Sequence, residues 1–409
     1  MKFSNLLMKL SSVSILTSIL TLLTSFILAK VMQVEDFGEY SFYQSILMLL
    51  INIVPFGTPL AIAVFVNTGT NKKVSKILDN TLFILIPSAF GTMVAMLVLY
   101  SAFTERLELV YLIIIINSVF MSINILFISY LRTTQQVKRY AIHFFIYTCC
   151  ITIAGLVGYV FYSQVITFYL AILLFLLIPT FISIKHLHTD FKIGSYIRNK
   201  KVFFTWSIKY GTPIVASTSV MSFLVVGDKI ILGFLASNSV VASYAIAALL
   251  ASTSLFVVNN FAAAWSSYLF KKLSKLSSKE IYSYYGKQKY KPLFALPLLF
   301  ISYLPQLFAY KIFFASRYPK LELTILLLNT AYTLLGISKY FMGYLNYFGK
   351  NVFIFYSAIV ACFTLIITSK YTYSIELYGL SISVLLAFAT LLLLIVYFTN
   401  KVLLNNVNK

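Results

Sequence analysis

Apolar runs about twenty residues long, each bounded by a short polar stretch, recur from one end of the chain to the other. A helix rises about 1.5 Å per residue, so a run of that length can cross the roughly 30 Å hydrocarbon core of a bilayer. Twelve segments meet the requirement, at about 10–32, 40–66, 79–101, 108–131, 140–162, 164–184, 207–234, 240–264, 290–311, 322–346, 351–369 and 377–400. The pattern predicts an all-α, polytopic membrane protein with 12 transmembrane helices.

The polar positions inside these runs are patterned too. In the first run Ser11, Ser14, Ser18, Thr21 and Ser25 recur at spacings of 3 and 4, which places five hydroxyls on one helix face opposite Leu, Ile and Phe. Small hydroxyl residues let membrane helices pack closely. However, Thr218 and Ser222 fall 204 residues after Ser14 and Ser18, and the recurrence favours a cavity wall shared by both halves. The same shift lays LAKVMQVEDFGEYSFYQSIL on LGFLASNSVVASYAIAALLA, with Leu28 on Leu232 and Tyr40 on Tyr244. A second echo relates SYLRTTQQVKRY to GYLNYFGKNVFI. The connection KHLHTDFKIGSYIRNKKVFFTW lies at the midpoint and divides six segments from six, so two six-helix lobes are expected, 1–200 and 201–409.

Composition agrees with the pattern. Of 409 residues, 60% are hydrophobic and 11% charged, with a mean hydropathy of +0.90, far above that of soluble domains. The net charge of +21 would suit a nucleic-acid binder if it were clustered. Instead 24 of the 32 basic residues fall on alternate connections, all on one side of the membrane if both termini are inside. That asymmetry supports the twelve-segment count and excludes nucleic acid as a partner. The N-terminal run resembles a secretory signal but reaches LAKVM without a small-x-small cleavage site, and it is expected to stay as the first membrane helix. The connection KKLSKLSSKEIYSYYGKQKYK, like the midpoint one, is too short for a separate soluble domain.

Lys339 is the most informative single residue. It sits inside the 322–346 run on a stripe of Tyr332, Gly336, Gly343 and Asn346, polar and small rather than bulky and apolar. An ammonium facing lipid at mid-bilayer costs about 2.5–3.5 kcal/mol or more, and the stripe favours a cavity-facing cation over a lysine snorkelling to the surface. Asp228 and Lys229 interrupt FLVVGDKIILGFL, where a local ion pair and a functional site stand as alternatives. Lys30 and Arg132 each end a run, as interfacial anchors do. Glu35, Asp36 and Glu39 are expected in the first outer loop, around a turn at Gly38, with no catalytic role.

Cys149, Cys150 and Cys362 read as buried apolar thiols, and His143, His186 and His188 are too scattered for a metal site. No Walker motif, serine triad, zinc motif or pair of catalytic carboxylates is found, so neither an enzyme nor a cofactor is implied. No apolar run carries the central, partnered acid that marks many proton-coupled drug antiporters.

These residues resemble a known family. LAKVMQVEDFGEYSF is similar to LARLLGPEDFGLYSL, and GDKIILGFLASNSVVASYAIA to SDRIILGYFLGSEEVGLYAIA, both from Wzx-type polysaccharide flippases of the MOP superfamily, which also holds lipid II flippases and MATE exporters. FGTPLAIAVFV and YLNYFGK add to the resemblance, which covers nearly the whole chain. It implies a MATE-like fold whose two lobes alternate access to a cationic cavity. It also implies transfer of an undecaprenyl-pyrophosphate-linked oligosaccharide to the outer leaflet of a bacterial inner membrane, for O-antigen or capsule. Lys30 stands where the family has an arginine, and Asp228 with Lys229 stand where it has Asp-Arg; lysine keeps the charge and gives up the bidentate fork. Expected partners are the lipid-linked oligosaccharide, membrane lipid, a glycan polymerase and a chain-length regulator. The expected substrate-binding residues are Lys339, Lys30, Lys229, Asp228, Arg132, Ser14, Ser18, Thr218 and Ser222. A MATE-like small-molecule exporter, a polytopic glycan polymerase or acyltransferase, and a non-transporting scaffold are the alternatives.

Overall fold

The computed structural model describes residues 3–55, 90–91, 109–191, 200–372 and 376–407. Within them the chain forms α1 (Phe3–Val31), α2 (Val34–Ile53), α3 (Leu109–Thr133), α4 (Val137–Tyr162), α5 (Val165–Phe191), α6 (Lys200–Leu235), α7 (Asn238–Leu273), α8 (Ser278–Gln288), α9 (Ala295–Phe313), α10 (Glu322–Tyr347), α11 (Asn351–Thr372) and α12 (Glu376–Val407). A single 3₁₀ turn, Lys291–Phe294, leads into α9. Eight of these helices, α3 to α7 and α10 to α12, contain a stretch long and apolar enough to cross a membrane, and a shorter apolar stretch runs from Ile15 to Val31 in α1. The fold is all-helical among the described residues, and the protein is a polytopic membrane protein. Apart from residues 90–91, the run expected at 79–101 lies outside the described residues, as do FGTPLAIAVFV and the end of the 40–66 run.

The helices fall into two compact units, 1–222 and 223–409, which divide within α6. The six-helix lobes expected from the sequence include segments outside the described residues. In the first unit α3 packs on α2 and α5, α4 packs on α5, and α1 lies on α4. Gly158 of α4 makes the last contact but one possible: a Cβ there would lie 2.6 Å from the Thr167 carbonyl oxygen of α5. In the second unit α10 is the central helix, flanked by α7 and α12, with α9 against α10 and α11 against α12.

The internal repeat extends to the backbone. α1 ends at Val31 and α6 at Leu235, α2 begins at Val34 and α7 at Asn238, and both pairs are 204 residues apart. The linking residues Gln33 and Ser237 share one extended conformation, with φ −61°, ψ 156° and φ −70°, ψ 155°. The second echo holds at a shift of 214. α3 ends at Thr133 and α10 at Tyr347; α4 begins at Val137 and α11 at Asn351. Each turn carries one left-handed residue, Gln135 at φ 59° and Gly349 at φ 65°. Three backbone hydrogen bonds recur, Gln136 N–H to Leu131 O (3.0 Å) becoming Lys350 N–H to Leu345 O (2.9 Å), with the two before it likewise matched. The hydrogen-bond pattern caps the free carbonyls of each helix end, and the left-handed residue lets the chain reverse.

One expectation is corrected. Glu35, Asp36 and Glu39 do not sit in a loop around Gly38: α2 already begins at Val34, the chain reverses at Met32 and Gln33, and Gly38 is buried inside the helix. Glu35 and Asp36 occupy the first turn, where unpaired N–H groups favour negative charge. Asp36 also accepts a 2.6 Å hydrogen bond from the buried Tyr159 of α4. The polar stretch after α7 contains the helix α8, started by a capping box in which Ser277 and Glu280 satisfy each other's backbone N–H.

Candidate functional site

Asp228 occupies the second-last turn of α6 and is only 1% exposed. Its Oδ2 accepts from the hydroxyl of Tyr244 on α7 at 2.8 Å, and its Oδ1 from the backbone N–H of Lys229 at 2.8 Å. Tyr332 of α10 lies within its electrostatic reach. The Asp228–Lys229 ion pair weighed from the sequence does not form. Consecutive helical residues point about 100° apart, so one side chain turns inward to Tyr244 while Lys229 stays half-buried. Tyr244 is fully buried, and its distance of 16 positions from Asp228 in the sequence gives no sign of the pairing. Its repeat counterpart Tyr40 instead lies among rings, edge-on to Phe168 at 4.9 Å between centroids, and its backbone carbonyl accepts from the Tyr169 hydroxyl at 3.0 Å. The same helix corner therefore packs its tyrosine among rings in one unit and ties it to a carboxylate in the other.

Lys339 lies on α10 between Gly336 and Gly343, and the stripe expected to line a cavity is a packing seam. A Cβ on Gly336 would meet Val258 of α7 at 2.7 Å, and one on Gly343 would meet Leu269 at 3.1 Å and Trp265 at 3.4 Å. Small residues at these positions let α7 approach closely. Tyr332 is buried, and Trp265 stacks on Tyr340 at 4.3 Å between ring centroids while its indole N–H donates to the Tyr340 carbonyl. Lys339 itself is half-buried at the edge of this seam, and its ammonium donates to Oδ1 of the exposed Asn259 on α7. A neutral carboxamide, not an acid, holds the cation.

The other expected residues are placed as follows. Lys30 and Arg132 end α1 and α3 and are exposed. Ser18 and Ser222, a repeat pair, are both half-buried, and Thr218 is exposed with its hydroxyl on the Val215 carbonyl at 3.2 Å. Ser14 lies in α1, and its side chain is outside the described residues. Among the hydroxyls of α1, Thr17 and Thr24 are buried, while Thr21 is exposed and Ser25 half-buried. Thr21 and Ser25 donate to carbonyls one turn back, Thr17 O and Thr21 O, both at 3.0 Å, so they stand on the open side with their hydrogen bonding locally satisfied. The structure joins Asp228 to α7 and Lys339 to α7 separately. Asp228 is held by Tyr244 and the Lys229 N–H, and Lys339 by Asn259.

Two buried polar clusters escaped the sequence reading. In the first unit Asn124, His143, Thr180 and Ser183 join α3, α4 and α5: Asn124 Nδ2 donates to Thr180 at 2.8 Å, and Ser183 to Asn124 Oδ1 at 3.1 Å. His143 Nε2 lies 3.1 Å from the same oxygen. In the second, Asn329 Oδ1 accepts from Ser254 and Ser302, and Gln306 Nε2 donates to Ser254 at 2.9 Å, joining α7, α9 and α10. Each satisfies polar groups that lipid could not. Their members lie up to 75 positions apart in sequence, so no spacing signals them. Among the described residues no group of three or more His, Cys, Asp or Glu could hold a metal. Cys150 is buried as expected, whereas Cys149 and Cys362 are half-buried.

Residues 7–271 match the model of a family described as polysaccharide biosynthesis protein. No match to a curated protein was found. Among solved structures, a multidrug resistance MATE family transporter of the MOP superfamily in an inward-facing conformation superposes with a TM-score of 0.72 at 15% identity, covering 96% of each chain. The lipid II flippase MurJ, in an inward closed conformation, superposes with a TM-score of 0.68 at 15% identity, covering 97% of this chain and 90% of that one. At these identities the likeness establishes the fold.

Proposed function

The chain belongs to the polysaccharide biosynthesis protein family, and from this premise we propose that it flips an undecaprenyl-pyrophosphate-linked oligosaccharide from the cytoplasmic to the outer leaflet of a bacterial inner membrane. The protein is no enzyme, and family and fold together make it a flippase or transporter of lipid-linked glycan. The finer reading rests on Lys339. A half-buried cation without a counter-charge is costly, and among the described residues the amide oxygen of Asn259 is what holds it, at the rim of a helix seam. Such a cation is satisfied best by an anion that comes and goes. A pyrophosphate is that kind of anion, and it cannot cross about 30 Å of hydrocarbon unaided, whereas a polyprenyl tail can remain in lipid.

In this reading the two six-helix lobes, 1–200 and 201–409, rock to expose Lys339 to one leaflet and then the other. Lys30, Lys229 and Arg132 contribute further positive charge, and Ser14, Ser18, Thr218 and Ser222 meet the sugars. Asp228, committed to Tyr244, positions α6 against α7 instead of touching substrate. The lysine-rich connections support cytoplasmic termini. O-antigen or capsule is the surface polymer proposed, with a polymerase and a chain-length regulator acting on the delivered units.

Purified protein in liposomes loaded with lipid-linked oligosaccharide tests the reading. Wild-type protein is expected to expose the glycan on the far leaflet, Lys339→Ala to lose most of that activity, and Lys339→Arg to keep part of it. Full activity in Lys339→Ala removes Lys339 from the mechanism; no glycan transfer by wild-type protein, with drug efflux instead, replaces the reading by a MATE-like exporter. Collapsing the membrane potential and the ion gradients separately identifies the driving force.

A further inference from the structure

We infer that α8 and the segments flanking it form a docking surface for the headgroups of anionic phospholipids on the cytoplasmic leaflet. The inference rests on the membrane reading alone and is independent of the glycan substrate.

Seven lysines lie between Phe270 and Lys291, all exposed, and Glu280 is the sole acid in that stretch. Glu280 carries the one negative charge set against them, placed at the start of α8 where its Oε2 accepts from the Ser277 N–H and hydroxyl, each at 2.8 Å. These contacts hold its carboxyl below the ordinary value of 4.5, the backbone N–H contributing most. α8 is two-faced. Ile281 and Tyr285 are buried, and the Tyr285 ring meets Tyr344 edge-on at 5.2 Å and Phe341 at 6.3 Å. The opposite face presents Lys279, Tyr282 and Lys287. The connection onward adds Lys289, Tyr290 and Lys291, with the Lys289 ammonium over the Tyr290 ring at 4.8 Å.

Exposed aromatics accompany the charge: Tyr290 is 64% and Tyr268, at the end of α7, 56% exposed. Aromatic rings beside lysines mark the headgroup level of a bilayer, where an amphipathic ring meets both phases. The form of the charge points to lipid and away from a single phosphate. The lysines are scattered point charges on flexible stems, with no arginine fork among them, which suits the diffuse negative field of an anionic leaflet.

The surface is tied to the inner end of α10. The Tyr340 hydroxyl donates to the Gln288 carbonyl at 3.2 Å, and Tyr340 follows Lys339 directly. Headgroups seated on α8 therefore brace the helix that carries the candidate site.

The test uses full-length protein reconstituted in equal mixtures of phosphatidylglycerol and phosphatidylcholine, extracted gently and weighed by native mass spectrometry. Wild-type protein is expected to retain phosphatidylglycerol in several-fold preference. Combining Lys279→Gln, Lys287→Gln, Lys289→Gln and Lys291→Gln should lower that preference several-fold, and raised salt should do the same to wild type. A control with Lys311→Gln, Lys320→Gln and Lys370→Gln should retain it. An unchanged preference in the four-site variant, an equal loss in the control, or displacement of the lipid by millimolar inorganic pyrophosphate would each overturn the inference. If the four-site variant does not accumulate, Lys279→Gln with Lys287→Gln, both on exposed positions, decides by the same readout.

Discussion

The corner between α1 and α2 and the corner between α6 and α7 are one piece of backbone used twice. They end and restart at positions 204 residues apart, and their linking residues agree to within 10° in φ and ψ. Their chemistry differs. Tyr40 packs edge-on against Phe168 in the first unit, while the Tyr244 hydroxyl donates to the buried carboxylate of Asp228 in the second. The contrast recurs one helix pair later. At the 214-residue shift Ile125 of α3 stands where α10 carries Lys339, and small residues match on either side, Ser122 with Gly336 and Ser129 with Gly343. What repeats is what close packing and chain reversal require. What does not repeat is charge: Asp228, Lys229 and Lys339 of the second unit stand where the first has Thr24, Ser25 and Ile125.

The largest expected effect comes from erasing that difference. Lys339→Ile makes α10 resemble α3 and is expected to reduce glycan flipping by on the order of ten-fold or more in the liposome assay, with the thermal midpoint in detergent unchanged or raised. Retained flipping would mean that the second unit's charge is not what distinguishes it. Next is the corner itself. Tyr244→Phe strands a buried carboxylate and should destabilise the protein by about 1–3 kcal/mol, whereas Tyr40→Phe removes a hydroxyl that holds no carboxylate and should cost about 1 kcal/mol or less. Thermal midpoints of the two variants, measured side by side, should keep that order; equal shifts would show that Asp228 finds other partners.

The paired turns give a smaller effect of opposite sign. Gln135 holds a left-handed conformation at φ 59° without being glycine, so Gln135→Gly is expected to stabilise by about 1 kcal/mol, while Gly349→Val at φ 65° should cost about 1–2 kcal/mol. Nothing lies within 4 Å of a Cβ at Gly349, so the cost there is conformational, and Gly349→Asn should recover most of it. The smallest effect has no counterpart among the described residues of the first unit. Glu280 is held below its ordinary 4.5 by Ser277, so the capping box contributes at any pH above that range and is lost as the pH falls through the lowered value. Backbone hydrogen exchange over Ser278–Gln288 should accelerate in acid, relative to neighbouring helices, in wild type and should lose that relative pH dependence in Glu280→Gln.

Much of this was legible beforehand. The apolar runs predicted the described helices to within a few residues at most ends, and weak echoes in the sequence located the repeat that the backbone follows closely. The start of α2 was misplaced because Glu35 and Asp36 looked like loop residues, when acids in a first turn are equally a sign that a helix has begun. The stripe around Lys339 was read as a cavity wall because small and polar residues look alike from one strand of sequence, whether they face water or let a neighbour in. Only the closeness of Val258, Leu269 and Trp265 to the two glycines separates those cases.

The sequence by itself determined the helices, their membrane-crossing character and the register of the repeat, because hydrophobic periodicity and turn geometry depend on residues three or four positions apart. Tertiary structure alone decided that Asp228 belongs to Tyr244, that Lys339 belongs to Asn259, and that Asn124, His143 and Ser183 share one buried cluster. Those pairings depend on which face of a helix meets which neighbour. In lipid, where apolar surface is satisfied on every side, that choice is made by close packing and by the few polar groups that must find a partner.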